Sequence, residues 1–237
     1  MADIPALPPG QIERQQFPRF GLGKFARRFP ADPDRLMLGI RGDVGREMRI
    51  GNEFQSLPRI EQQSDFHCVT TWSVRGVRWG GVRFLDFYEQ IALPLAKPLP
   101  GAELVVLRGE DGYCSCLPLE DLLHPDVILA DRLDDQPLDV AHGAPLRLVA
   151  PAHYGYKNVK HLVSIEFWKD RRRYRFPFPY PAFMDHPRAR VAFEERGRFF
   201  PSWMLRHLYR LLIPFSVWNF ERALARYRAR RLSGRQR

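Results

Sequence analysis

Apolar positions alternate with polar ones over many short stretches, and turn residues separate those stretches. Segments 36–42 and 47–50 predict two strands that pair through a turn at 43–46. Segment 65–74, rich in Thr, Val and aromatic residues, predicts a further strand. Val82, Leu85, Phe87 and Tyr88 fall roughly at helical spacing, so 82–91 predicts a helix. Strands are expected over 103–108, 127–132, 146–150 and 161–167, and a short helix with acids at its start over 118–123. Many short strands with few helices indicate an α+β class, a mixed and β-rich fold.

The flanks differ from this middle. Residues 1–35 are Pro-rich and predict an extended wrap anchored by Phe17, Phe20, Phe25 and Phe29. After Lys169 the run FPFPYPAFMDHP excludes regular helix, and two helices are then expected over 203–213 and 216–232, broken by Pro214. In the second, Val217, Phe220, Leu224 and Tyr227 share one face, while Arg222, Arg226 and Arg230 share another. The chain thus divides into 1–35, 36–168 and 169–237.

Composition narrows the function classes. The 237 residues are 45% hydrophobic and 13% aromatic, enough for a core and incompatible with a wholly disordered chain. Three cysteines do not make a disulfide scaffold, and the opening MADIPALPPGQ lacks a basic stretch followed by an apolar block. A cytoplasmic protein is therefore expected. The net charge of +10 is localised: 196–237 holds eleven arginines and one acid, Glu221, whereas the other 195 residues hold 26 charges of each sign. A uniformly basic nucleic-acid-binding domain would look different, so no nucleic acid is expected. The tail suits a peripheral membrane contact through interfacial helices on anionic lipid. It suits equally a helix that packs on its own domain and leaves its arginines in water.

Three segments carry candidate chemistry. DFHCVTTWSVRGVRWGGVRFLDF contains Cys68, although a single cysteine in a strand is more often a small buried hydrophobe. DGYCSCLPLEDLLHPDVILA contains Cys114 and Cys116, a weak zinc signal without further paired ligands. In HGAPLRLVAPAHYGYKNVKHLVSIEF, glycines and prolines shape turns around Arg147, Lys157 and Lys160. Such cations beside Gly-rich backbone fit a phosphate cradle or an ordinary solvated strand-loop-strand.

Together, in this order and over about 36–168, the three segments resemble the molybdopterin-binding domain of the sulfite oxidase family. The resemblance implies that family's β-rich fold, followed in this chain by a helical C-terminal appendage. It also implies two cofactor components, molybdenum and molybdopterin, with the metal held by the pterin dithiolene and one cysteine thiolate. Cys68, in CVTTWS, falls on the thiolate position. His142, Arg147, Asn158, Val159 and Lys160 fall on cofactor-binding positions, with Lys157 as an additional cation. Tyr113 matches a tyrosine near the substrate. The implied activity is that of an oxidoreductase transferring an oxygen atom to or from a small-molecule or sulfoxide-type substrate. The sequence carries no haem, flavin or iron–sulfur motif, so a separate electron-transfer partner is expected. The rival readings are a non-catalytic binding protein that retains the fold and a nucleic-acid-binding protein that works through its basic tail. The intact CVTTWS segment disfavours the first.

Overall fold

A computed structural model of the chain describes residues 6–15, 17 and 24–234. Two sheets stack around a shared core. In the first, β5 (Trp72–Arg83) is central. It pairs antiparallel with β4 (Ile60–His67) on one edge. Its other edge takes β8 (Ile128–Leu133) antiparallel and β1 (Ile12–Glu13) parallel. β8 in turn carries β9 (Gln136–Pro137) and β10 (Arg147–Val149). The second sheet runs β3 (Met48–Ile50), β2 (Leu38–Gly42), β11 (Leu162–Trp168), β6 (Leu104–Gly109), β7 (Cys114–Pro118). The expected hairpin forms as β2 and β3, with Leu38 opposite Ile50.

Period-two alternation sets the layers. Leu129 of β8 joins Leu38, Ile40, Val82, Leu107 and Ile165 in the core between the sheets. Its neighbours Ile128 and Ala130 turn to the opposite face, against Val77, Trp79 and Val149. Both faces of the first sheet are therefore covered.

Three expectations are corrected. Segment 65–74 is not one strand: β4 ends at His67, the chain reverses over 68–71, and β5 begins at Trp72. The helix expected over 82–91 starts later, because Val82 still belongs to β5. Four α-helical residues, α1 (Phe84–Phe87), then widen into a π-helical stretch, Tyr88–Ala96. Pro94 inside that stretch lacks the N–H that a regular helical ladder would use. Finally, the tail is a single helix, α2 (Ser202–Gly234), that runs through Pro214. Pro214 is exposed, so the carbonyl one turn back faces water and is not buried without a partner.

The flanks share cores with the sheets. Phe25 lies in the main core, and Phe29 packs on Phe220 and Tyr227 of α2. Leu205 and Tyr209 of α2 pack on Val69, Tyr154 and Met184. Phe220 and Leu224 pack on Ala26 and Ala141. Phe20 lies outside the described residues.

Candidate active site

The reversal at 68–71 is tight and held from afar. The Cys68 N–H donates to the Trp72 carbonyl at 2.8 Å, and the Thr71 N–H donates to the Cys68 carbonyl at 3.1 Å. Thr71 sits at φ +76°, a region that β-branched residues avoid at a cost of roughly 1–3 kcal/mol. Such a conformation persists only where the surroundings impose it, and several groups do so here. Gln11 Nε2 donates to the Cys68 carbonyl at 3.2 Å, and Gln11 Oε1 accepts from Ser73 Oγ at 3.1 Å. Arg210 Nε donates to Thr71 Oγ1 at 3.0 Å. Arg196, fully buried, donates from Nη1 to the Val69 carbonyl at 2.6 Å and from Nη2 to the Pro9 carbonyl at 3.0 Å. Glu194 neutralises it at 2.9 Å.

The Cys68 thiol lies against a cleft with a cavity volume of about 110 Å³, lined mainly by apolar and aromatic side chains. Its Sγ is 3.1 Å from Thr70 Oγ1. Burial pushes the thiol up from its ordinary range, while the Thr70 hydrogen bond and the charges of Arg196 and Lys160 pull it back.

Across the cleft stands Arg147, 1% exposed. Its Nη1 donates to the His142 carbonyl at 2.8 Å, and its guanidinium lies over the Trp79 and Phe66 rings at 4.9 and 5.6 Å. Among the described residues it forms no ion pair, and burial alone pulls its pKa down to about 9. A desolvated cation without a counter-charge is costly, and ring faces recover only part of that cost. An anionic group in the cleft would supply what is missing. Lys160 joins Arg147 there, donating to the Ala141 carbonyl at 3.0 Å with its Nζ 5.0 Å from the Phe220 ring centroid. Gly143 packs against the stems of both cations. At φ +115° it has backbone freedom that other residues lack, and a Cβ there would stand 3.1 Å from Lys160 and 3.2 Å from Arg147.

Of the residues singled out from sequence, Cys68, Tyr113, Arg147, Asn158 and Lys160 line this one cleft. Asn158 ties its rim together, accepting from the Ala150 N–H at 2.6 Å. Tyr113 donates its phenol proton to the Tyr156 carbonyl at 2.7 Å, and burial drives its pKa well above the ordinary phenol range. The phenol oxygen keeps lone pairs with which to accept. His142 stands behind the lining, with Nδ1 2.6 Å from Asp139 and its ring edge-on to Phe17. Val159 is buried, and its carbonyl accepts from the Leu148 N–H at 3.0 Å. Lys157 turns away from the cleft. Its Nζ donates to the Cys116 carbonyl at 2.9 Å and lies 3.5 Å from Asp185. Cys114 and Cys116 pack with Val106, Trp168 and Tyr174, and no group of three metal-ligating side chains surrounds them among the described residues.

Besides Arg210, four contributors escaped sequence reasoning. Asp111 lines the cleft and is pushed up to about 6 by burial, although its Oδ1 accepts from the Tyr113 N–H at 2.9 Å. His161 also lines it and is pulled down to about 4 by burial, with Nδ1 2.7 Å from the Ala144 carbonyl. Asp111 had a signal in its neighbour Gly112, but Asp-Gly marks any turn. Gln11 and Arg196 had none, because only the fold brings them to the Cys68 turn.

The cations and the apolar ring faces fit a phosphate-bearing, ring-containing cofactor, and the thiol fits a soft metal. Comparisons agree. The oxidoreductase molybdopterin-binding domain family matches residues 26–176. The oxidoreductase YuiH of Bacillus subtilis is 34% identical over 165 residues, which cover 69% of this chain and 80% of YuiH. The protein-methionine-sulfoxide reductase catalytic subunit MsrP of Xanthomonas axonopodis pv. citri is 32% identical over 196 residues, 73% of this chain and 60% of that protein. MsrP of Campylobacter jejuni is 29% identical over 152 residues, 56% of this chain and 49% of that one. The chain therefore spans half to three-fifths of the length of these reductase subunits. Among solved structures, the sulfane dehydrogenase SoxCD of Paracoccus pantotrophus shares the fold, with TM-score 0.52 and 19% identity over 60% of this chain and 40% of that one. The chain belongs to the oxidoreductase molybdopterin-binding domain family, and is an enzyme of the sulfite oxidase superfamily whose cofactor is molybdopterin with molybdenum.

Proposed function

We propose that this enzyme moves an oxygen atom to or from a small sulfoxide-type or related substrate, at a molybdenum centre held by Cys68, and exchanges electrons with a separate protein. The observation that carries the proposal is that a conformationally imposed thiol and a buried cation without a counter-charge among the described residues line one cleft. When bound, the molybdenum cofactor supplies a metal that changes by two electrons and can give or take an oxygen atom.

The chain's own residues supply the rest. Cys68 would give the thiolate, and the brace from Gln11, Arg196 and Arg210 would hold it in one orientation. Arg147 and Lys160 would pair with the cofactor's phosphate. Tyr113, whose proton is committed to the Tyr156 carbonyl, would present its oxygen as a fixed acceptor at the cleft wall. The names of the methionine-sulfoxide reductase and sulfane dehydrogenase relatives support a sulfur-centred substrate.

The test is a comparison of wild-type and Cys68→Ser holoproteins by metal analysis, X-ray absorption and turnover of sulfoxides, N-oxides and sulfite with dye donors or acceptors. The expected result is one molybdenum per wild-type chain, loss of the Mo–S(Cys) feature in the variant and loss of its turnover. A variant that kept both the feature and the activity would overturn the assignment. Full molybdenum without turnover of any of these substrates would overturn the substrate class.

A further inference from the structure

Helix α2 packs only one side against the protein. Leu205, Tyr209, Phe220 and Leu224 are buried along that side. The opposite side also carries large apolar side chains, interrupted by His207, and none of the described residues covers them. Trp203 is 64% exposed, Leu211 78% and Trp218 55%. At 100° per residue these three fall within an arc of about 80°, so they form one stripe. Phe199, just before the helix, is 87% exposed and sits at φ +68°. A bulky residue in that region is strained, and an exposed ring gains nothing from the fold to offset the strain. The stripe continues into a basic half, where Arg222, Arg226 and Arg230 are exposed. The Arg222 guanidinium lies over the Trp218 ring at 5.3 Å, joining the two halves.

We propose that this outward face of α2, with Phe199 at its leading end, docks the enzyme onto a membrane surface rich in anionic lipid. Charge complementarity selects this occupant. On this face the exposed Arg222, Arg226 and Arg230 stand beside a single exposed acid, Glu221, so it has little with which to meet a cationic surface. Tryptophan, phenylalanine and leucine are the side chains that settle into the headgroup boundary, and arginines beside them pair with lipid phosphates. The helix is about 50 Å long and lies along the protein, which suits it to rest in the plane of a bilayer. Among the described residues no helix is long and apolar enough to cross one. The inference stands apart from the chemistry of the cleft.

The full-length protein provides its own probe. Of its five tryptophans, Trp72, Trp79 and Trp168 are buried, and Trp203 and Trp218 are the two on the stripe. Vesicles of equal parts phosphatidylglycerol and phosphatidylcholine should shift tryptophan emission to the blue and sediment the protein. Pure phosphatidylcholine vesicles should bind at least tenfold more weakly, and about 0.5 M NaCl should weaken binding to the anionic vesicles by screening. The combined variant Trp203→Ser, Leu211→Ser, Trp218→Ser should lose at least tenfold in affinity, as should Arg222→Gln, Arg226→Gln, Arg230→Gln. All six residues are exposed, so molybdenum content should stay at the wild-type level. An unchanged emission spectrum of the wild-type protein on anionic vesicles would overturn the proposal. So would equal binding of wild type and either variant, or binding of a duplex oligonucleotide tighter than that of the anionic vesicles.

Discussion

The two walls of the cleft are held in opposite ways. On the side that carries Arg147 and Lys160, the hydrogen bonds close within their own neighbourhood, and only ring contacts come from afar. His142 leans on Asp139, Arg147 on the His142 carbonyl, Lys160 on the Ala141 carbonyl and His161 on the Ala144 carbonyl. The wall that carries Cys68 is built from both ends of the chain, by Gln11 from one side and Arg196 and Arg210 from the other. A locally closed wall can be changed without disturbing the rest of the fold. A wall closed by distant groups couples the thiol's orientation to the stability of the whole molecule.

The largest test of that contrast is the double variant Arg147→Ala, Lys160→Ala. Charge-assisted hydrogen bonds contribute roughly 1.5–3 kcal/mol each, so losing both should weaken cofactor binding by about 3–6 kcal/mol if they add. The protein should purify folded and nearly pterin-free, as read by fluorescence of the released, oxidised pterin. Arg147→Met alone should separate binding from stability. It removes a buried charge that has no counter-charge among the described residues, so the cofactor-free protein should melt higher than the wild type while its pterin occupancy falls.

On the other wall, Arg196→Ala should act on the fold. It removes the donors to the Val69 and Pro9 carbonyls and one of the two arginines on Glu194, and each buried acceptor left without its donor costs about 1–3 kcal/mol. Urea denaturation should show that loss, while the folded fraction keeps its pterin. A variant of unchanged stability that had lost its pterin would reverse the roles of the two walls.

Asp111 sharpens the comparison through pH. Its carboxyl titrates near 6 in the folded protein against an ordinary value near 4, so the fold favours the protonated form. The contribution of Asp111 to stability should therefore fall as pH rises from about 4 to 6, then stay a constant penalty above that. Asp111→Asn should be more stable than the wild type at pH 7.5, by on the order of 1–3 kcal/mol, and should lose that advantage at pH 4. His161 works in the opposite sense. Its folded value near 4 means that stability is lost as pH falls from about 6.5 to 4, because the unfolded chain takes up the proton first. His161→Gln in the Asp111→Asn background should flatten the remaining acid limb of the profile.

The smallest effect belongs to Thr71. Asparagine tolerates positive φ better and can still accept from Arg210, so Thr71→Asn should stabilise the protein by about 0.5–1 kcal/mol in urea titrations.

Much of the fold could be read from pattern. Strands β2, β3, β6, β8 and β11 show as short runs rich in apolar residues between turn signals, because several are buried on both faces. The reversal at Cys68 could not be read this way. Residues 68–71 contain no Gly, Pro or Asn, so the usual turn signals are missing and the segment passes for continuous strand. Lys157 shows the converse error. In KNVK it neighbours Lys160 in sequence, yet the one-turn helix Gly155–Lys157 and the irregular backbone after it send the two side chains to opposite sides. The continuous α2 was hidden by Pro214, whose usual cost is avoided because it faces water.

By itself the sequence determined the class of fold, the short strands, the single tail that holds the net charge and a cysteine and cations of the right chemistry for the cofactor. These are properties of local composition and periodicity, which survive without knowledge of what lies opposite. Tertiary structure alone decided which cations face the cleft, which residues brace the thiol and which side of the last helix stays bare. Each of those depends on contacts between groups up to nearly two hundred residues apart, such as Pro9 with Arg196, and no local propensity encodes a partner that far along the chain.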